Sequence, residues 1–288
     1  MTAGTAAAQR LAVIGAGVMG TGIATLALGW GVPVVLVDVD EEALTRARAR
    51  VAAQLRLAAM MAVLPPGIGA ADLTTTTDLA RIGPVTAVIE SVTEQPDLKA
   101  KVLTEVTSVV GDGTLVVSNT SAIPIDELAD SVAHAEDFLG VHFMNPPYLI
   151  TTVELIRGGR TGDAAITAAT SLLSSLGRAA IVVSDEPGFV INRILQRVIN
   201  EAARVVEEGV ATPEAVDALF TGCLGHRTGP LGTADIIGLD NVVDSLHVLF
   251  DRTGDQGYQP CGLLKDKVRA GDLGQKAGRG FFDHGGAG

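Results

Sequence analysis

A doubly wound α/β sheet followed by a smaller all-helical domain is the fold class that these 288 residues predict, and two observations carry it. From residue 10 to residue 184, short apolar runs alternate with longer stretches of helical period, as in a sheet whose strands are joined by crossover helices. Beyond residue 187 the strand-like runs stop and apolar residues recur at helical spacing. The length suits one large or two ordinary domains. The boundary is placed near 184–188, which divides the chain into 1–186 and 187–288.

Each element follows from its own residues. "LAVIG" (11–15) reads as a strand and 18–29 as a helix. "VPVVLVDV" (32–39) is a strand whose valines suit burial on both faces, as in a parallel sheet. Residues 41–63 are helical until "PPG" (65–67) stops them. "VTAVIESV" (85–92), "TLVVSNT" (114–120), "DFLGVHF" (137–143), "TTVELIR" (151–157) and "AAIVVS" (179–184) are further strands. In the second domain, "FVINRILQRVINEAARVVEEG" (189–209) is a helix, and "TPEAVDALFTG" (212–222) opens another with an N-cap threonine and proline at the first helical position.

The totals exclude several classes. Hydrophobic residues at 47% and charged residues at 19% describe a globular chain rather than a disordered one. A net charge of -12 repels nucleic acid and anionic lipid, so neither is an expected partner. Cys223 and Cys261 have neither metal-ligand nor disulfide-framework spacing, which suits a reducing cytoplasm. "MTAGTAAAQR" lacks the basic and apolar regions of a signal peptide and reads as a short disordered lead. No run reaches the length of a membrane span. A cytoplasmic protein with no resident metal is expected.

The first candidate site is "VIGAGVMGTG" (13–22), where Gly15, Gly17 and Gly20 follow a strand and open a helix. Such glycines allow a tight turn, close approach of the backbone to a pyrophosphate, and close helix–sheet packing. The helix N-terminus then presents N–H groups and a positive dipole end to the phosphates. Asp38 ends the next strand, where a carboxylate can accept hydrogen bonds from the adenosine ribose hydroxyls. It would repel a 2′-phosphate, so NAD is expected over NADP. With this fingerprint the first domain reads as Rossmann-type.

The second candidate site is "VHFMNPPYLITTVELI" (141–156), which puts His142 at the end of one apolar stretch and Glu154 inside the next. An unpaired carboxylate there would be costly. The residues by themselves allow a structural ion pair or a proton-transfer couple. Ser121 in "SNTSAI" (118–123) and Asn192 in "PGFVINR" (187–193) equally allow helix capping or backbone bonding.

Taken in order, NTS, HFxNP, VE and PGFxxNR, behind the glycine fingerprint, resemble the L-3-hydroxyacyl-CoA dehydrogenase family, including the bacterial 3-hydroxybutyryl-CoA dehydrogenases. The resemblance runs from residue 10 to "GDLGQKAGRGFFDH" (271–284). It implies that His142 is the base taking the hydroxyl proton while hydride leaves carbon for NAD. Glu154 would orient the imidazole, and Ser121 and Asn192 would hold the reacting oxygen. It further implies that Glu94, Lys99 and Asn145 contact the cofactor, that the second domain takes part in substrate binding and dimerisation, and that the chain forms a homodimer. The ordered combination favours the proton couple over the structural pair.

One segment departs from the family pattern. Relatives hold CoA with lysine-rich helices after the second strand, whereas residues 43–71 here have no lysine and no acid but carry Arg46, Arg48, Arg50 and Arg56. That window fits the phosphates of CoA or an acidic acyl carrier protein, or else forms a solvated face balancing Asp40, Glu41 and Glu42. The expected activity is therefore NAD-dependent interconversion of a short 3-hydroxyacyl thioester with its 3-oxoacyl form, on CoA or on an acyl carrier protein such as one bearing a glyceryl group. A dehydrogenase of a free hydroxy acid or sugar acid and a non-catalytic dinucleotide-binding protein remain as alternatives.

Overall fold

The computed structural model describes residues 9–67 and 71–285, so most of the lead read as disordered lies outside the described residues. The chain divides into two compact units between Glu186 and Pro187.

The first unit is built on a sheet of eight strands among the described residues, in the order β3-β2-β1-β4-β5-β6-β7-β8. β1 (Leu11–Ile14), β2 (Val34–Val37), β4 (Ala87–Glu90) and β5 (Leu115–Ser118) are buried at every position, the result of apolar runs covered on both faces. β3 (Leu73–Thr76) is a strand that the hydrophobic pattern does not reveal. Its "LTTT" is half-exposed and polar, and it forms as an edge strand by parallel pairing of Leu73 with Val34. β6 (Phe138–His142) runs parallel to β5, but β7 (Thr152–Arg157) returns antiparallel to β6, and β8 (Ala179–Ser184) follows β7 in parallel.

The helices carry the signals that predict them. α1 (Val18–Gly29) is buried from Gly20 to Gly29 and lies close on the sheet because its small residues permit it. α2 (Glu41–Met60) starts at Asp40, whose carboxylate accepts from the Glu42 N–H at 2.8 Å. α3 (Pro96–Thr107) opens with proline in its first turn, α4 (Ile125–Leu128) is a single turn, and α5 (Asp163–Ser175) joins β7 to β8. The main core packs α1, α2 and α5 onto one sheet face through Leu26, Leu28, Leu44, Leu139, Leu155 and Leu172.

The second unit is helical: α6 (Ile191–Glu207), α7 (Pro213–Leu224), α8 (Pro230–Ile237), α9 (Leu239–Thr253) and α10 (Gly262–Ala270). Ile199, Ala203, Leu231, Leu239, Val242 and Leu246 form its core. Thr212 caps α7, as its position predicts, by accepting from the Ala215 N–H at 3.3 Å.

Because β1, β2, β4, β5 and β6 are parallel, their carboxyl ends share one sheet edge. Those ends are Ile14, Val37, Glu90, Ser118 and His142. An antiparallel β7 brings Glu154 to the same edge, opposite His142.

Candidate active site

At this edge the fingerprint loop lies between β1 and α1, where the strand order reverses from β2 on one side of β1 to β4 on the other. Open parallel sheets bind ligands at such a switch point. A cavity of about 580 Å³ is lined there by Gly15, Gly17, Asp38, Thr77, Asp78 and Val92.

The three glycines have different causes. Gly15 has φ +102, and a Cβ on it would stand 2.6 Å from the Ser91 carbonyl oxygen. A Cβ on Gly20 would stand 1.9 Å from the Gly15 carbonyl oxygen. Gly17 needs neither freedom: its φ is -70 and a Cβ would meet no atom of the described residues within 4 Å. Its bare backbone instead suits a ligand arriving at the mouth of α1, which no side chain caps. Asp38 lines the cavity and is tied to this loop, accepting from the Ala16 N–H at 2.7 Å and the Asp40 N–H at 3.1 Å. Asp40, not Asp38, caps α2. These residues fit a dinucleotide with an unphosphorylated ribose.

The second group is held by strand register. His142 and Glu154 are directly paired across β6 and β7, which puts both side chains on one face within reach of each other. His142 Nδ1 lies 2.8 Å from Glu154 Oε2, and each side chain is only 7% exposed. With Nδ1 directed at the carboxylate, exchange of a proton with a substrate falls to Nε2. Asn119 braces the end of the strand by accepting from the Phe143 N–H at 3.1 Å. Asn145 stands exposed on the loop after β6.

Ser121 sits on the loop after β5, and its N–H donates to Glu94 Oε1 at 2.7 Å. Glu94 also accepts from the Thr120 hydroxyl at 2.6 Å and the Ala122 N–H at 3.0 Å. Burial pushes the Glu94 carboxyl up, but the Lys99 charge and those three hydrogen bonds outweigh it and hold the group below the usual carboxylate range. Lys99 is fully buried behind Glu94. Asn192 belongs to the other unit, in the first turn of α6. Glu90, fully buried at the end of β4, escapes a reading by motif. The signal that exposes Glu154, a carboxylate inside an apolar run, is also present in "AVIE" and could have found it. No cluster of three or more metal-ligating side chains occurs among the described residues.

Residues 10–186 match the family model described as the 3-hydroxyacyl-CoA dehydrogenase NAD-binding domain, and residues 188–284 match the C-terminal domain of the same family. The chain belongs to the 3-hydroxyacyl-CoA dehydrogenase family. A probable 3-hydroxybutyryl-CoA dehydrogenase of Deinococcus radiodurans is 38% identical over 278 residues, covering 96% of this chain and 100% of that one. The 3-hydroxybutyryl-CoA dehydrogenase of Bradyrhizobium diazoefficiens is also 38% identical, over 97% of this chain and 96% of its own. Among solved structures, the (S)-3-hydroxybutyryl-CoA dehydrogenase PaaH1 of Ralstonia eutropha has a TM-score of 0.89 at 37% identity, covering 96% of this chain and 99% of that one. As a 3-hydroxyacyl-CoA dehydrogenase family member the chain is an NAD-dependent oxidoreductase, and the cavity beside Gly17 and Asp38 is suited to that cofactor. No helix among the described residues is long and apolar enough to cross a membrane.

Proposed function

We propose that this chain interconverts a short 3-hydroxyacyl thioester of CoA with its 3-oxoacyl form. The observation that carries the reading is the buried His142–Glu154 pair at the carboxyl edge of the sheet. NAD, when bound, accepts hydride from the carbinol carbon. His142 takes the hydroxyl proton on Nε2 as that hydride departs, and returns it in the reverse direction. Glu154 keeps Nδ1 protonated and opposes the positive charge that develops on the ring. Ser121 hydrogen-bonds the reacting oxygen, Asn192 is a substrate contact supplied by the second unit, and Asp38, Asn145 and Glu94 would hold NAD, Asp38 at the adenosine ribose. The acyl specificity follows the relatives named for 3-hydroxybutyryl-CoA.

Oxidation of NADH by 3-oxobutyryl-CoA, followed at the nicotinamide absorbance band, tests this directly. His142→Gln is expected to lower kcat by about 10²–10⁴-fold with cofactor affinity retained. Failure of every short 3-oxoacyl thioester, CoA-bound or carrier-bound, would overturn the reading, and activity on the free acid would favour a hydroxy-acid dehydrogenase instead.

Two finer features belong to the same reading. On α2, Arg46 is engaged by Asp40 and Glu42 and Arg48 by Thr75, while Arg50 and Arg56 have no partner among the described residues. Beside them Leu57, Met60 and Met61 are exposed, Met60 by 85%. A basic and apolar face supports capture of an anionic thioester carrier, either the CoA phosphates or an acidic carrier protein. On α6, Ile191 and Ile194 are exposed and line, with Leu195 and Phe220, a groove of about 280 Å³, and Leu219 and Leu224 of α7 are exposed as well. Burial of that face against a second copy makes the chain a homodimer. A monomer mass in light scattering at micromolar concentration would contradict it.

A further inference from the structure

The structure assigns the buried Glu90–Lys99 pair a positioning role: through Glu94 it holds the backbone of the loop that carries Ser121. The assignment rests on the function proposed above, in which Ser121 contacts the reacting oxygen.

Glu90 and Lys99 are each 0% exposed, at the end of β4 and in the first turns of α3. Every oxygen of Glu90 is used. Oε1 accepts from Lys99 Nζ at 2.9 Å and the Val92 N–H at 2.7 Å, and Oε2 accepts from Lys99 Nζ at 3.1 Å and the Ser118 hydroxyl at 2.6 Å. The same ammonium lies 3.4 Å from the Val92 carbonyl oxygen and 3.2 Å from Glu94 Oε2. Glu94 is the outward member of the set, its side chain 38% exposed. Lys99 therefore occupies its inner oxygen and leaves Oε1 to the Thr120 hydroxyl and the Ser121 and Ala122 amides.

Two carboxylates joined by one ammonium thus grip both ends of residues 118–122. Glu90 holds Ser118 where β5 ends, and Glu94 holds 120–122 where the loop departs. In this assignment the fully buried Lys99 acts on a ligand through Glu94, where the family resemblance implies a cofactor contact of its own. Stability alone does not account for the arrangement, because a buried ion pair can usually be replaced by apolar side chains without loss. A rigid set of charges that fixes where a backbone amide and its side chain stand does account for it, since loose placement of a contacting group costs rate.

The test uses the full-length protein and four chains: wild type, Lys99→Met, Glu94→Gln and the double variant. If Lys99 acts through Glu94, Lys99→Met lowers kcat by about tenfold or more, with KM for 3-oxobutyryl-CoA changed less than about threefold. The double variant is then no worse than the poorer single one, because the two residues work as a unit. Additive losses, or a Lys99→Met enzyme with wild-type kcat, would overturn the assignment. Amide hydrogen exchange supplies a readout independent of turnover: exchange across 120–122 is expected to quicken in Lys99→Met, and unchanged exchange would also overturn it. Should Lys99→Met fail to fold, Ser118→Ala removes one anchor at a fully buried residue and is expected to lower kcat several-fold, whereas wild-type kcat there would count against the network. A wild-type protein inactive on all thioesters refutes the proposed function, whereas normal wild-type activity with silent Lys99→Met and Ser118→Ala refutes only this inference.

Discussion

Replacing Glu154 by glutamine separates a proton couple from a structural ion pair. The amide keeps the size of the side chain and can still accept from His142 Nδ1, but it cannot oppose a positive ring. With Nδ1 and Oε2 at 2.8 Å, the charge centres lie roughly 4 Å apart once the imidazole protonates. At the effective dielectric constant of about 20 that suits partly buried pairs, this amounts to about 4 kcal/mol of attraction. Residual solvation and the retained hydrogen bond reduce it, so a loss of about 2–3 kcal/mol in transition-state stabilisation is expected, or about 30–150-fold in kcat. The assay is single-turnover reduction of 3-oxobutyryl-CoA by NADH, so that product release does not mask the chemical step. Thermal melting is measured on the same preparation. A kcat within about threefold of wild type, together with a lowered melting temperature, would show that the pair serves the fold and would refute the catalytic reasoning.

Other perturbations have equally distinct signatures. Gly17→Ala is expected to leave stability unchanged, since its Cβ meets no atom of the described residues within 4 Å, but to weaken NAD binding by more than about tenfold in a fluorescence titration. Gly20→Ala, whose Cβ would press on the Gly15 carbonyl, is expected to cost about 3 kcal/mol or more in urea unfolding. The double change Arg50→Gln and Arg56→Gln should raise KM for the carrier-bound substrate several-fold at low salt with kcat preserved, at about 0.5–1 kcal/mol per exposed contact, and the difference should shrink in high salt. Glu94 has a depressed folded-state pKa, so its stabilisation is present above the ordinary carboxylate range and lost as pH falls; the urea-midpoint deficit of Glu94→Gln at pH 7 should accordingly close at low pH. Burial pushes the Cys261 thiol up, so near neutral pH a thiol reagent should label one cysteine per native chain, the exposed Cys223, and reach the second on unfolding.

The features that the sequence determined by itself are those with local causes. Apolar runs covered on both faces mark β1, β2, β4 and β5, because a strand buried in a parallel sheet admits almost nothing else. Glycines that must accept positive φ or a close backbone mark the fingerprint loop, and Thr212 with Pro213 marks the start of α7. His142 and Glu154 are conspicuous because ionisable groups seldom stand in apolar runs without a partner. Tertiary structure decided whatever depends on residues far apart in the chain. β3 forms from polar threonines only because β2 offers an edge to pair with. The antiparallel return of β7 sets the register that brings His142 and Glu154 together. Of four arginines alike in sequence, Arg46 and Arg48 find partners while Arg50 and Arg56 have none among the described residues. On α6 the unit's own core takes Ile199 and Ala203 and leaves Ile194 60% exposed. Glu90 and Lys99, nine residues apart on different elements, become one network with Glu94 because folding buries both charges, and a buried charge must find its counterpart wherever the topology puts it.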